Sequence, residues 1–169
     1  MTSMIGSTNK DANYWINKLK LQEHPEGGYF VETFRSPRII NLDDYEGNRF
    51  ICTAIYYLLP GNQFSAFHRM KSDEIWHFYT GSSLTLYVIH SNGTLDEVCM
   101  GQNLDNNEKF QHVIESGCWF AAIGNDPYSY SLIGCTVSPG FDYRDWELAN
   151  IDILLNIYPQ HKSIIEKFR

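Results

Sequence analysis

Eight short runs rich in aromatic and β-branched residues lie between positions 29 and 137, and turn signals separate them. The runs are Tyr29–Arg35, Phe50–Leu59, Ile75–Thr80, Leu84–His90, Leu95–Met100, Phe110–Ile114, Cys118–Ile123 and Ser129–Val137. Between them stand Pro60-Gly61, Gly81-Ser82, Ser91-Asn92-Gly93, Gly101, Ser116-Gly117 and Gly124-Asn125-Asp126-Pro127. Strands of this length and spacing predict an antiparallel sandwich or barrel. Asn92-Gly93 is the strongest hairpin signal, because a type I′ turn needs two positive φ angles.

Helical patterns flank these runs. Asp11–Leu21 reads as a helix with Asp11 at its N-cap. His24-Pro25-Glu26-Gly27-Gly28 ends it: Pro25 biases His24 away from helical dihedrals, and the glycine pair permits a sharp turn. Ala149–Tyr158 and His161–Phe168 read as helices at the other end. The polar residues 1–13 lack the apolar core of a signal peptide. A disordered tail over 1–13, a single domain over 14–169 and a cytoplasmic location are therefore expected.

A chain of 169 residues buries enough surface to need no disulfide. Cys52, Cys99, Cys118 and Cys135 form no CxxC pair and read as small apolar strand residues. Acids outnumber Lys plus Arg by 20 to 13, a formal charge of −7 with no basic run. That balance argues against nucleic acid and anionic membranes as partners. The longest apolar run, Ile51–Leu59, falls far short of the ~20 residues of a membrane span.

The stretch from Gly61 to Gly81 carries His68, then Glu74 six on, then Gly81 seven further. Two strands joined by a tight turn can aim one His and one Glu at a common point, which suits a divalent metal or acid/base chemistry. The spacing resembles the first motif of the cupin superfamily. Met70 stands where that motif has its second His, and Phe120 stands where the second motif has its His. The resemblance sharpens over residues 15–158. His24-Pro-Glu-Gly-Gly28, Tyr56-Tyr-Leu-Leu-Pro60, Ser65-Ala-Phe-His-Arg69, Asp73-Glu-Ile-Trp-His77, Trp119-Phe-Ala-Ala122 and Gly134 through Asp142 resemble the cupin family known as DUF985 or Cupin_5. It implies an all-β, RmlC-like cupin double-stranded β-helix, a jelly-roll barrel with short terminal helices, usually as a homodimer. It implies no particular reaction.

On this reading His68 and Glu74 are the candidate catalytic residues, His68 as base and Glu74 as its orienter. The alternative is a hydrogen-bonded core histidine and a structural ion pair with His68 or Arg69. Strand parity puts Glu74, Trp76 and Phe78 on one face and His77 on the other. A bulge at Glu74 would reverse this and give a His68/Glu74/His77 metal triad. Trp76, Trp119 and Phe120 are candidates for stacking on a ligand, with core packing as the alternative. Met70 shares a face with His68. Glu32 is the odd polar residue beside Phe30 and Phe34, a pocket candidate with an edge-strand salt bridge as the alternative, and Arg35 lies on the opposite face by parity. Tyr130 offers a phenol. His24 and Glu26 sit in a glycine-rich loop and are read as turn chemistry, with capping of a barrel mouth as the alternative. Asp142, Asp145 and Glu147 are read as a solvated acidic patch, and His90, His112 and His161, without partners by spacing, as surface residues.

The expected function is small-molecule binding, with metal-independent isomerase- or epimerase-like acid/base chemistry on a sugar or nucleotide-like ligand. The alternatives are a metal-dependent cupin enzyme, with a divalent ion on His68, Glu74 and His77, and a non-catalytic ligand-binding or sensor barrel.

Overall fold

The computed structural model describes residues 10–169. Most of the tail expected over 1–13 thus lies outside the described residues. Its last two residues, Ala12 and Asn13, are already helical. Helix α1 (Ala12–Leu19) starts where the Asp11 carboxylate accepts the Tyr14 N–H at 2.8 Å and stops at Lys20, whose φ is 58°.

Thirteen strands follow: β1 (Gln22–Glu23), β2 (Tyr29–Arg35), β3 (Ile39–Ile40), β4 (Arg49–Phe50), β5 (Thr53–Pro60), β6 (Phe64–Met70), β7 (Asp73–Gly81), β8 (Leu84–Ile89), β9 (Leu95–Met100), β10 (Gln111–Ile114), β11 (Trp119–Gly124), β12 (Tyr130–Ser138) and β13 (Trp146–Leu148). Helices α2 (Ile151–Ile157) and α3 (Lys162–Ile165) end the chain. One large sheet has the order β1-β2-β5-β12-β7-β10 and the other β13-β6-β11-β8-β9, while β3 and β4 form a small ribbon of their own, every neighbouring pair antiparallel. This is the expected jelly roll, built as two facing sheets; they do not close into one hydrogen-bonded barrel.

Alternation along each strand sorts the side chains into three apolar layers. Between the sheets lie Tyr57, Leu59, Trp76, Phe78, Leu84, Leu86, Met100, Phe120 and Ile133. Behind the five-stranded sheet, Phe67, Tyr87, Trp119 and Ala121 pack against Leu154, Ile165 and Phe168 of the C-terminal helical segment. Behind the other sheet, Leu58, Leu132 and Tyr130 pack against α1.

Three bulges break the alternation and shape the site. On β2, Glu32 faces Ile55 and Phe34 faces Ala54, so Thr33 is extra. On β6, Ser65 faces Ala122 and His68 faces Phe120, so Ala66 and Phe67 together oppose Ala121. On β7, Phe78 faces Ile133 and Thr80 faces Leu132, so Tyr79 is extra. The register through Glu74, Ile75, Trp76 and His77 is unbroken.

The hairpin at Asn92-Gly93 forms, but not as a type I′ turn. Gly93 alone has positive φ, at 84°, and the Asn92 side chain accepts from Thr94 N and Oγ1. The loop spans the five residues between β8 and β9, which lets Asn92 keep an ordinary φ. All four cysteines are free. Among the described residues no helix is long and apolar enough to cross a membrane.

Candidate functional site

Where the two sheets splay, a cavity of about 60 Å³ opens between β2, β5, β6, β7, β12 and β13. His68 enters it from β6. Its Nδ1 lies 2.7 Å from the Ala66 carbonyl oxygen, a contact within the β6 bulge. A carbonyl only accepts, so Nδ1 carries a proton and Nε2 is the ring atom left for exchange. Nε2 stands 3.0 Å from Glu26 Oε2.

Glu26 is the residue sequence reasoning set aside as turn chemistry. The turn is real, and it is the device that delivers the carboxylate. Gly27 has φ +109°, and a Cβ there would lie 2.1 Å from the Phe64 carbonyl oxygen. Only glycine lets the loop come this close to β6. The Glu26 carbonyl then accepts Ala66 N at 2.8 Å, and Tyr57 Oη donates to the Gly27 carbonyl at 2.7 Å. Ser65 Oγ donates to Glu26 Oε1 at 3.2 Å, and Trp146 Nε1 to Oε2 at 3.3 Å. The β6 bulge is what turns Ser65 and His68, three residues apart, toward the same carboxylate.

Glu74 enters from β7, where Oε1 accepts Trp76 Nε1 at 3.0 Å. Burial pushes its carboxyl up to about 7; the neighbouring His68 opposes that rise and Glu26 adds to it. Burial likewise lifts Glu26 to about 6, against the pull of His24, Trp146 and Ser65. Burial lowers His68, against Glu74 and the Ala66 contact, and lowers His24. His24 Nδ1 accepts the Glu26 backbone N–H at 3.3 Å. Burial thus brings the two carboxyls toward neutral proton affinity and disfavours the charged forms of the two imidazoles. Cys135, deep in the wall, is held as a thiol by burial and by Glu74.

The other candidates divide. Met70 and Glu32 line the cavity with His68 and Glu74. Phe120 packs against the His68 ring at a centroid distance of 4.0 Å, tilted by 58°, and Trp76 reaches the site through its bond to Glu74; neither is in the cavity wall. Trp119 faces away, into the helix-packed layer, with the Arg69 guanidinium 4.5 Å above its ring. Phe120 points inward, so the residue before it on a regular strand must point out. Tyr130 also lies outside, its hydroxyl accepting Trp15 Nε1 at 2.7 Å.

His77 is on the outer face of its sheet, 3.2 Å from Thr136 Oγ1 and 3.0 Å from Gln111. The bulge falls at Tyr79, too late to turn it inward, so His68, Glu74 and His77 do not converge. With Met70 and Phe120 in place of imidazoles and His68 Nε2 turned to Glu26, this donor set does not fit a cupin-type metal. Among the described residues no three His, Cys, Asp or Glu are grouped to hold a metal ion.

Three further expectations change. Arg35 pairs with Glu32, Nε to Oε1 at 2.9 Å, because Thr33 is bulged and parity fails across it. Asp145 is not a solvated acid: it forms a two-pronged pair with Arg49, Nη2 to Oδ1 at 2.8 Å, with both side chains at most 4% exposed. His90 is not partnerless, standing 3.6 Å from Cys118 Sγ and 2.9 Å from Asp96 Oδ2. Burial raises the Cys118 thiol, which makes it the donor in that contact.

The family described as Cupin superfamily (DUF985) matches residues 13–149. An uncharacterized protein of Saccharomyces cerevisiae is 32% identical over 143 residues, covering 77% of this chain and 71% of that one. Two solved structures are similar over nearly the whole chain. A hypothetical protein from Leishmania major shares 34% identity at a TM-score of 0.87, covering 94% of this chain and 98% of that one. A protein from Shewanella oneidensis shares 37% identity at 0.86, covering 94% and 96%.

Proposed function

The chain belongs to the DUF985 family of the cupin superfamily, and we propose that its cavity binds a small organic molecule and moves protons on it without a metal, in the manner of an isomerase or epimerase. One observation carries this reading: His68 Nε2 stands 3.0 Å from Glu26 Oε2 while Nδ1 is tied to a carbonyl. One proton is shared across that contact. Burial disfavours the ion pair, and the Ser65 and Trp146 donors favour the carboxylate, so neither location of the proton dominates strongly. Glu74, raised to about 7, is a second group able to take or give a proton at neutral pH. Two such groups facing one cavity can remove a proton from a ligand carbon and return one. The role of orienting His68 passes from Glu74 to Glu26.

No Lys or Arg is in the cavity wall, which fits a sugar-like ligand without phosphate better than a nucleotide. The test is incubation in D2O with a panel of unphosphorylated sugars and amino sugars. Solvent deuterium should enter one carbon position, and His68→Gln or Glu26→Gln should abolish it. A panel compound that raises the melting temperature yet gains no deuterium, or exchange that survives both substitutions, overturns the reading. The homodimer implied by the resemblance is part of the same proposal, and light scattering of the full chain should give the mass of two copies.

A further inference from the structure

The charges around the cavity are lopsided. Glu26 and Glu74 are each at most 9% exposed, and neither has a Lys or Arg partner. The third carboxylate in the wall, Glu32, is already matched by Arg35. Burying carboxylates without a cation is costly, and the cost falls when a ligand brings one. Glu74 is only lightly satisfied: Oε1 takes the Trp76 N–H, and the Cys135 thiol, a weak donor, also reaches this carboxyl.

The opposite wall is aromatic. Tyr143 meets Phe141 at 5.0 Å and 82°, and Trp146 at 6.0 Å and 87°. Rings at right angles form a corner, and Tyr143, 57% exposed, stands at its mouth. The faces of Trp and Tyr attract cations, and aromatic corners are a recurring way to hold substituted ammonium groups. A phosphate or carboxylate would meet two buried acids and no Lys or Arg, and burial disfavours the charged forms of the two imidazoles in the wall, His24 and His68.

We propose that the cavity recognises a small organic cation, with its ammonium group against Glu26 and Glu74 and its alkyl substituents against Phe141, Tyr143 and Trp146. This rests on the reading of the cavity as a ligand site and names the chemical class of its ligand. At about 60 Å³ the occupied part is a small head group.

The test uses three probes of similar size, isopropylammonium, isopropanol and isobutyrate, titrated into the full chain at pH 8 and followed by NMR. Isopropylammonium should bind about tenfold more tightly than isopropanol, and isobutyrate should not bind. Glu74→Gln and Tyr143→Ala should each weaken the cation several-fold, and Tyr143 makes no fold-supporting hydrogen bond that its loss would break. Isopropanol or isobutyrate binding as tightly as the cation overturns the proposal, as does cation binding that ignores both substitutions. Either result leaves the acid/base reading to be judged on its own deuterium exchange.

Discussion

Glu26 and His68 lie 42 positions apart in the chain, on a loop and on the strand that the loop crosses, and meet at 3.0 Å inside the cavity. The loop needs a left-handed glycine and the strand needs a bulge; without either, the two side chains would not face each other. Both partners are buried, so the pair is a single titrating unit.

Replacing Gly27 should undo this contact. An alanine there takes on a φ of +109° and a Cβ 2.1 Å from the Phe64 carbonyl oxygen. Gly27→Ala should cost about 2 kcal/mol or more by denaturant titration. The Nε2 signal of His68 in a nitrogen NMR spectrum should shift with it, whereas a loop that merely tolerates the change would leave that signal in place.

Stability should respond to pH through Glu74. Its folded value of about 7 lies above the 4.5 of an ordinary carboxyl, so the folded state binds the extra proton between those values. Stability from this group is complete below pH 4.5 and is lost as pH rises through 7. Glu26, raised to about 6, acts the same way, while the lowered His68 and His24 act oppositely, losing stability as pH falls below 6.5. The Glu74→Gln variant isolates one group. Relative to wild type it should gain about 2 kcal/mol between pH 5 and pH 8. A difference that stays flat with pH would mean an ordinary carboxyl at position 74.

Breaking one side of Arg49–Asp145 should be severe. The fork is buried on both sides and ties β4 to the segment that carries Tyr143 and Trp146. Arg49→Ala leaves Asp145 charged and unpaired, at a cost of about 3–5 kcal/mol. The double variant with Asp145→Ala should recover part of that loss in a thermodynamic cycle; strict additivity would show the pair to be uncoupled.

Trp119 supplies a contrast between two roles. Trp119→Leu should lower stability, since the ring is buried under Arg69 and among Tyr87 and Phe67, yet leave ligand affinity unchanged. An equal loss of affinity would place the ring in the cavity after all.

Much of the architecture could be read in advance because alternation and turn chemistry are local. The runs at Tyr29–Arg35 and Leu95–Met100 coincide with β2 and β9, and Asp11 caps the first helix. Parity set Trp76 inward and His77 outward, since β7 is regular from Glu74 to His77. What escaped was non-local or irregular. Asp145 looks like one acid among several until Arg49, 96 positions away, folds onto it. The Thr33 and Ala66–Phe67 bulges carry no marked residue type, so parity misplaced Arg35 and overlooked Ser65. Glu26 had one visible signal, the double glycine that follows it, and a carboxylate beside so sharp a turn is a candidate for being swung inward.

Strand β6 is a partition one residue thick. Its His68 faces the cavity, while its neighbour Phe67 lies behind the sheet, 5.1 Å from Phe168 ring to ring. The helical layer and the imidazole therefore lean on opposite sides of the same thin wall. Phe168 acts as a distant buttress of the strand that carries His68, although none of its atoms enters the cavity.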